Sequence, residues 1–416
     1  MATALLMVRS VVQIQKNNAA VMALSRRAFS VSSAEHMEKQ VQNENSSNSF
    51  RHEDLEISRS SSQSTMPPLE DIQFGKCFSD HQFSVEYNQD LGGWGTPKIG
   101  SFCNLSLHPA APVLHYGMSC FEGMKAFCGK DGNLRLFRPM MNMERLARSM
   151  ARIELPAFDT EELLKCINEL LLVDRRWVPK EKGYSLYIRP FAMGTTHSLG
   201  VAPSRDAEIR VITGPVGPYY PSGLVPIEIF LDESNVRAWP GGTGEFKIGG
   251  NYAPTIGPQV QAKAKHNCHQ VLYTIPEGED LFVSECGAMN MFFFLKGKGG
   301  AKELVTQPLD GTILPGVTRD SVLGLCRQWG DFEVSERKLS VRELADAARE
   351  GNLLEVFGSG TACLIQPVTA LVQASGERIR SAQDLNDPSA LCQRLFRAIT
   401  DIQYGETESE WSVLLQ

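Results

Sequence analysis

The sequence predicts a mixed α and β chain, α/β or α+β, folded as two domains. Its 416 residues exceed the ~250–300 at which a single core stops growing. Strand-like and helix-like runs interleave along the chain with no repeat period. Between them lies Gly214-Pro-Val-Gly-Pro-Tyr219-Tyr-Pro-Ser-Gly223, too dense in Gly and Pro for regular structure and therefore the best inter-domain boundary. Composition is that of a globular protein, 42% hydrophobic and 21% charged. A net charge of −7 gives no support to a nucleic-acid binder. No apolar run approaches the ~18–20 residues of a bilayer-spanning helix. Ten scattered cysteines without a Cys-x-x-Cys pair point to reduced thiols rather than a zinc ribbon or disulfide framework.

Taken in order, residues 1–34 hold Arg9, Lys16, Arg26 and Arg27 and no acid. This is the composition of an organelle transit peptide. Arg27-Ala-Phe-Ser30 resembles a mitochondrial processing site, so the mitochondrial matrix is expected, with a plastid as the alternative. Residues 35–66 are polar and read as a disordered linker, so the fold is expected to begin at Pro67-Pro68. The domains are then 67–217 and 228–416, joined by the loop 218–227. In the first, 83–87 alternates as a strand does, Asp131-Gly132 is a hairpin signal before 134–137, and Pro139 opens a helix. Met143, Leu146, Met150 and Ile153 share one face of that helix, with Arg145, Arg148 and Arg152 on a neighbouring stripe. Asp159 and Glu162 form a capping-box pattern for a helix to 173. Strands follow at 184–189 and 207–212. In the second domain, strand 225–231 leads through a glycine-rich stretch to a helix ending near 265. A hairpin pairs 269–275 with 281–285, and 291–295 is a wholly apolar strand. Helices are expected from Gly316 to about 329, from Ser340 to Gly351, and from Asp387-Pro388 to Gly405.

The chemistry points to Gly241-Gly-Thr-Gly-Glu-Phe-Lys247-Ile-Gly-Gly-Asn-Tyr252, a lysine between two apolar residues in a flexible glycine run. Desolvation disfavours an ammonium, and a neutral amine attacks carbonyls to form Schiff bases. Gly316-Val-Thr318 lies at a helix start, where free N–H groups and the helix dipole favour a phosphate. Gly358-Ser-Gly-Thr361 reads as a nest-like glycine turn with the same capacity, and Arg145 offers a forked cation. Each feature alone is more often structural. Together they indicate pyridoxal 5'-phosphate, whose aldehyde needs a lysine and whose phosphate needs such nests. His266-Asn-Cys-His269 lacks outlying metal ligands, and Lys296-Gly-Lys-Gly-Gly300 lacks the ending of a P-loop. No metal site is expected.

Five ordered motifs then bring a resemblance into view: Phe121-Glu-Gly-Met-Lys-Ala-Phe127, Tyr187-Ile-Arg-Pro190, Lys247-Ile-Gly-Gly-Asn-Tyr252, Leu314-Pro-Gly-Val-Thr-Arg319 and Phe357-Gly-Ser-Gly-Thr-Ala-Cys363. From about Pro67 onward the chain resembles the branched-chain amino acid aminotransferases of the eukaryotic branch. The resemblance implies the fold-type IV architecture, a smaller N-terminal α/β domain and a larger C-terminal pseudo-barrel. It implies exchange of the amino group of L-leucine, L-isoleucine or L-valine with 2-oxoglutarate, by a ping-pong route through pyridoxamine phosphate in a homodimer. Lys247 would be the Schiff-base lysine and proton-transfer base. Tyr252 would bond the cofactor's phenolate oxygen, and Glu285 its ring nitrogen. Arg145, Val317, Thr318 and Thr361 would hold the phosphate while Leu314 packs on the ring. Tyr116, Phe121, Tyr187 and Tyr219 resemble the side-chain pocket, with Arg189 at its rim. Backbone near Ala288 and Ala362 would meet the substrate α-carboxylate.

The chain departs from the family pattern at two places. Ala288 replaces a common threonine, and Cys363-Leu-Ile-Gln366 replaces a Cys-x-x-Cys of mammalian relatives, so Cys363 reads as a packing residue. The alternatives are a D-amino acid aminotransferase, an aminodeoxychorismate lyase, or an inactive regulatory homologue. Activity with L-leucine against D-alanine, and absorbance of the bound cofactor, separate them.

Overall fold

The computed structural model describes residues 49–218 and 224–415. The expected transit peptide and Tyr219 lie outside the described residues. Two sheets organise the chain. The first is built from β1 (Glu56–Ile57), β2 (His81–Asn88), β3 (Gly93–Trp94), β4 (Lys98–Ser101), β5 (Ser119–Phe121), β6 (Met124–Cys128), β7 (Leu134–Phe137), β8 (Ser185–Gly194) and β9 (Asp206–Val216). The second, a half-barrel, holds β10 (Ile227–Asp232), β11 (Val271–Glu277), β12 (Asp280–Cys286), β13 (Asn290–Lys296), β14 (Lys302–Thr306), β15 (Glu333–Glu336), β16 (Leu353–Gly360), β17 (Leu364–Val372) and β18 (Arg378–Arg380). The last strand, β19 (Ser412–Leu414), returns to the first sheet and pairs antiparallel with β7.

The helices are α1 (Pro112–Tyr116), α2 (Pro139–Arg152), α3 (Thr160–Val173), α4 (Ile256–His266), α5 (Val317–Trp329), α6 (Val341–Arg349) and α7 (Leu391–Gln403). On α2 the apolar stripe predicted from spacing is the buried one: Met143, Leu146 and Met150 pack with Leu163, Ile167 and Leu170 of α3 against Ile188 and Ile209. The second sheet is covered on both faces. Phe292 and Phe294 of β13 join α5 and α7 in one core, whereas Met291, Phe293 and Leu295 join α6 in the other. Successive strand residues face opposite sides, so a strand covered twice must be apolar throughout.

Four expectations are corrected. Residues 49–66 are not a free linker: Phe50 is buried against Phe83 and Trp94, β1 pairs with β4, and the His52 N–H bonds the Glu162 carboxylate. Few apolar residues suffice here because the main core lends the burial. The Gly/Pro stretch is partly regular, since β9 runs to Val216; a Cβ at Gly214 would meet the Cys77 carbonyl at 2.1 Å, so the glycine serves close backbone approach. Gly358 and Gly360 likewise belong to β16, packed on Met289 and on the Ala288 carbonyl, and the turn is Thr361–Cys363. The last helix starts at Leu391, not at Asp387; the Glu355 carboxylate caps it by accepting from the N–H groups of Leu391 and Cys392.

Candidate active site

Lys247 is fixed by its backbone from both sides. Its N–H donates to Ser149 Oγ of α2 at 2.9 Å, and its carbonyl accepts from the Phe121 N–H at 3.0 Å. Asn251 ties the preceding arc by donating to the carbonyls of Thr243 and Phe246. The glycines of this stretch have separate tasks: Gly241 takes φ +79°, and a Cβ on Gly244 would strike the Thr312 carbonyl at 2.4 Å. The lysine side chain then enters a cavity of about 360 Å³. There Nζ donates to Tyr252 Oη at 3.0 Å and lies 4.8 Å from the Phe121 ring centroid.

Two buried charge pairs frame the cavity. Arg145 grips Glu122 through Nε at 2.7 Å and Nη2 at 2.9 Å and donates from Nη1 to the Pro315 carbonyl. That leaves two of the guanidinium's five N–H groups for a ligand, among the described residues. Burial would raise the Glu122 carboxyl's pKa, but Arg145, Lys247 and the Asn142 amide outweigh it and hold it below the usual range. On another wall, Glu285 lies 2.6 Å from Arg237 and accepts from the Leu314 N–H and the Asn290 amide. Burial pushes the Glu285 carboxyl up, partly opposed by Arg237, the Leu314 N–H and Lys247.

The remaining walls come from both sheets. Val317 and Thr318 open α5, whose N-cap is Gly316 with no side-chain cap, so free N–H groups face the cavity. A Cβ on Gly316 would strike Asn290 Oδ1 at 2.1 Å. Leu314, Ala288, Thr361 and Ala362 complete this wall. Opposite are Phe121, Tyr187 and Arg189. Arg189 donates to Tyr187 Oη at 3.1 Å, lies over the Phe121 ring, and has a buried Nε with no partner among the described residues. Tyr187 in turn covers Gly123, where a Cβ would lie 2.0 Å from the phenol oxygen.

Thus Lys247, Arg145, Tyr252, Glu285, Leu314, Val317, Thr318, Thr361, Phe121, Tyr187, Arg189, Ala288 and Ala362 line one cavity. Tyr116 does not. It sits at the end of α1, 43% exposed, and its hydroxyl is spent on the Leu199 carbonyl. Sequence reasoning missed Arg237, Glu122 and Phe74. Glu122 stood inside a quoted motif without a role. Arg237 lies in a polar loop with no periodic signal, and only the fold brings it to Glu285. Phe74 lies among residues with no strand or helix pattern; its ring meets Tyr187 edge-on at 4.9 Å.

The profile of the family described as amino-transferase class IV matches residues 119–371. The chain belongs to this family. The class IV aminotransferase is 48% identical over 346 residues to the branched-chain-amino-acid aminotransferase of Dictyostelium discoideum, covering 83% of this chain and 90% of that one. It is 46% identical over 367 residues to the mitochondrial branched-chain-amino-acid aminotransferase of Bos taurus, covering 88% and 92%. Among solved structures, the Escherichia coli branched-chain amino acid aminotransferase superposes with a TM-score of 0.60 at 25% identity, over 80% of this chain and 98% of that one.

Proposed function

We propose that this chain is a pyridoxal-phosphate-dependent branched-chain amino acid aminotransferase, moving the amino group of L-leucine, L-isoleucine or L-valine reversibly to 2-oxoglutarate. The observation that carries this is one cavity lined at once by an amine (Lys247), a buried carboxyl (Glu285), a free helix N-terminus (Val317–Thr318) and a cation with spare N–H groups (Arg145). The residues fit the cofactor. Arg145, Val317, Thr318 and Thr361 would hold its phosphate, Leu314 its ring face, Glu285 its ring nitrogen and Tyr252 its phenolate oxygen. Bound there, pyridoxal phosphate supplies an aldehyde that carries the amino group and a ring that withdraws electrons from the substrate Cα.

The protein's own part is binding, orientation and proton movement. Lys247 Nζ moves the proton at the substrate Cα, steered by the Tyr252 hydroxyl. Backbone around Ala288 and Ala362 receives the α-carboxylate. Phe121, Tyr187 and Phe74 give the branched alkyl group an apolar, aromatic wall. The unpartnered Nε of Arg189 meets the distal carboxylate when glutamate or 2-oxoglutarate occupies the same pocket; a guanidinium suits a carboxylate by its fork of donors. Borohydride trapping of the holoenzyme followed by peptide mapping tests the reading. The label is expected on Lys247, together with turnover of L-leucine and none of D-alanine. A label elsewhere, or none, would refute it.

The working unit is a homodimer. Leu114, Tyr116, Leu199 and Val201 form exposed apolar surface, with Val201 at 83% exposure, and such surface favours a protein partner. Tyr116 would then serve the site of the neighbouring copy. Leu199→Asp with Val201→Asp is expected to yield monomers by sedimentation and to lower activity. For location we favour the mitochondrial matrix, supported by the acid-free, basic residues 1–34 and by mitochondrial relatives; N-terminal sequencing of the organellar form tests it.

A further inference from the structure

We propose that Lys125 is a positioning residue for the substrate site: its ammonium holds the Thr361–Cys363 turn from behind, so that the turn's backbone favours the substrate α-carboxylate in front. The inference rests on the reading that places this carboxylate near Ala362.

Lys125 lies in β6, paired with Tyr187 of β8. Its Nζ donates to the Ala362 carbonyl at 3.0 Å, a bond from the first sheet to a turn of the second, 237 residues away in sequence. Ala362 is a wall shared by two spaces: the active-site cavity, and a smaller cavity of about 110 Å³ lined by Lys125, Cys363, Ser185 and Tyr404. The lysine therefore stands one peptide unit behind the surface that faces the substrate. In a trans peptide the N–H points opposite to the C=O. Holding the Ala362 carbonyl toward Lys125 thus fixes the Ala362–Cys363 peptide plane and, through it, the path of the Thr361–Ala362 backbone that lines the active-site cavity, while a cation on that carbonyl polarises the Cys363 N–H directly.

The turn has reason to need this support. It exits through Leu364 at φ +61°, a left-handed conformation that is unfavourable for a non-glycine residue and persists only where surroundings enforce it. The charge of the support is also adjustable. Burial pulls the Lys125 pKa down to about 8, against a small opposing pull from Cys363. The titratable groups facing it are Cys363, held up at about 11, Tyr187 of the neighbouring β8, and Tyr404 just past the end of α7, held up at about 12. Cys363 and Tyr404 both stay neutral while Lys125 discharges. As pH rises through 8 the site loses a cation behind the carboxylate, and anion binding weakens.

The test uses holoenzyme and 4-methylvaleric acid, a carboxylate with a branched chain and no amino group to react. Its Kd is read from the cofactor absorbance between pH 7 and 9.5. Wild type is expected to weaken about tenfold over that range, the effect of one charge at several ångströms in a partly buried setting. Lys125→Met should be weak and flat at all pH values, with cofactor content unchanged. Lys125→Arg, a permanent cation, should bind tightly and also be flat. A Lys125→Met enzyme with the wild-type Kd and slope would overturn the proposal. If that variant does not fold, a wild-type slope persisting in Lys125→Arg overturns it instead. A wild type that turns over L-leucine but binds the acid without pH dependence refutes this inference alone. A wild type with neither chromophore nor turnover refutes the function it rests on as well.

Discussion

Arg145–Glu122 and Arg237–Glu285 are almost wholly buried, and such pairs behave asymmetrically. Keeping both partners contributes little net stability, whereas removing one leaves an uncompensated charge and costs about 3–5 kcal/mol. Arg237→Met should therefore destabilise the protein by about 3 kcal/mol in urea unfolding and weaken cofactor binding in a spectrophotometric titration, because Glu285 loses the cation that opposes its raised pKa. Glu122 titrates in the opposite sense. Its folded pKa lies below the ordinary 4.5, so its contribution is fully present above that value and disappears as pH falls through the lower folded one. Thermal unfolding between pH 7 and 3 should show wild-type Tm falling on the acid side, and Glu122→Gln lacking that part of the fall. The variant should also lose cofactor affinity, since Arg145 is no longer aimed. Ala288 lines the cavity with a side chain that carries no hydroxyl. Ala288→Thr should alter KM for the amino acid more than Tm, as a steady-state panel of donors would show.

Between elements, glycines set how closely the pieces of the site approach. Gly123, between β5 and β6, lies under the Tyr187 hydroxyl, and an added Cβ would sit at 2.0 Å. Because β6 and β8 are hydrogen-bonded neighbours, the strands cannot separate cheaply and the phenol must swing instead. Gly123→Ala is expected to raise KM for L-leucine by roughly tenfold, the loss of about one hydrogen bond or packing contact, with Tm nearly unchanged. Gly316 is tighter in consequence. Its Cβ would displace Asn290, which holds both Glu285 and the Leu314 carbonyl. A change at the start of α5 therefore reaches the Glu285 wall of the cavity as well as the Val317–Thr318 wall.

Across the molecule, the site exists only because two sheets meet, and Phe127 of β6 and Phe137 of β7 pack from the first sheet into the core that holds Phe292 and Phe294 of the second. Lys247 follows β10, yet its backbone is held by Ser149 and Phe121 from the first sheet's half. The N-terminal strap contributes to that half. Phe50 is 3% exposed in the first core, so Phe50→Ala should cost about 3 kcal/mol in chemical unfolding. A Phe50→Ala variant with the wild-type unfolding midpoint would contradict this.

Much of this was legible in the chain. The periodicity of α2, the apolar run of β13, the Ser340 cap of α6 and the Gly316 start of α5 are local signals, written in residues a few positions apart. The lysine and its glycines are too, because flexibility and an amine in one stretch are properties of composition. The strap at Phe50, the Glu355 cap of α7, and the pairing of Arg237 with Glu285 are different in kind. Each joins residues tens of positions apart through burial, and burial is assigned only when the sheets close. What the sequence by itself determined was which elements form and which chemistry they carry. What the tertiary structure decided was which charges are left without water, and so which partners they must take.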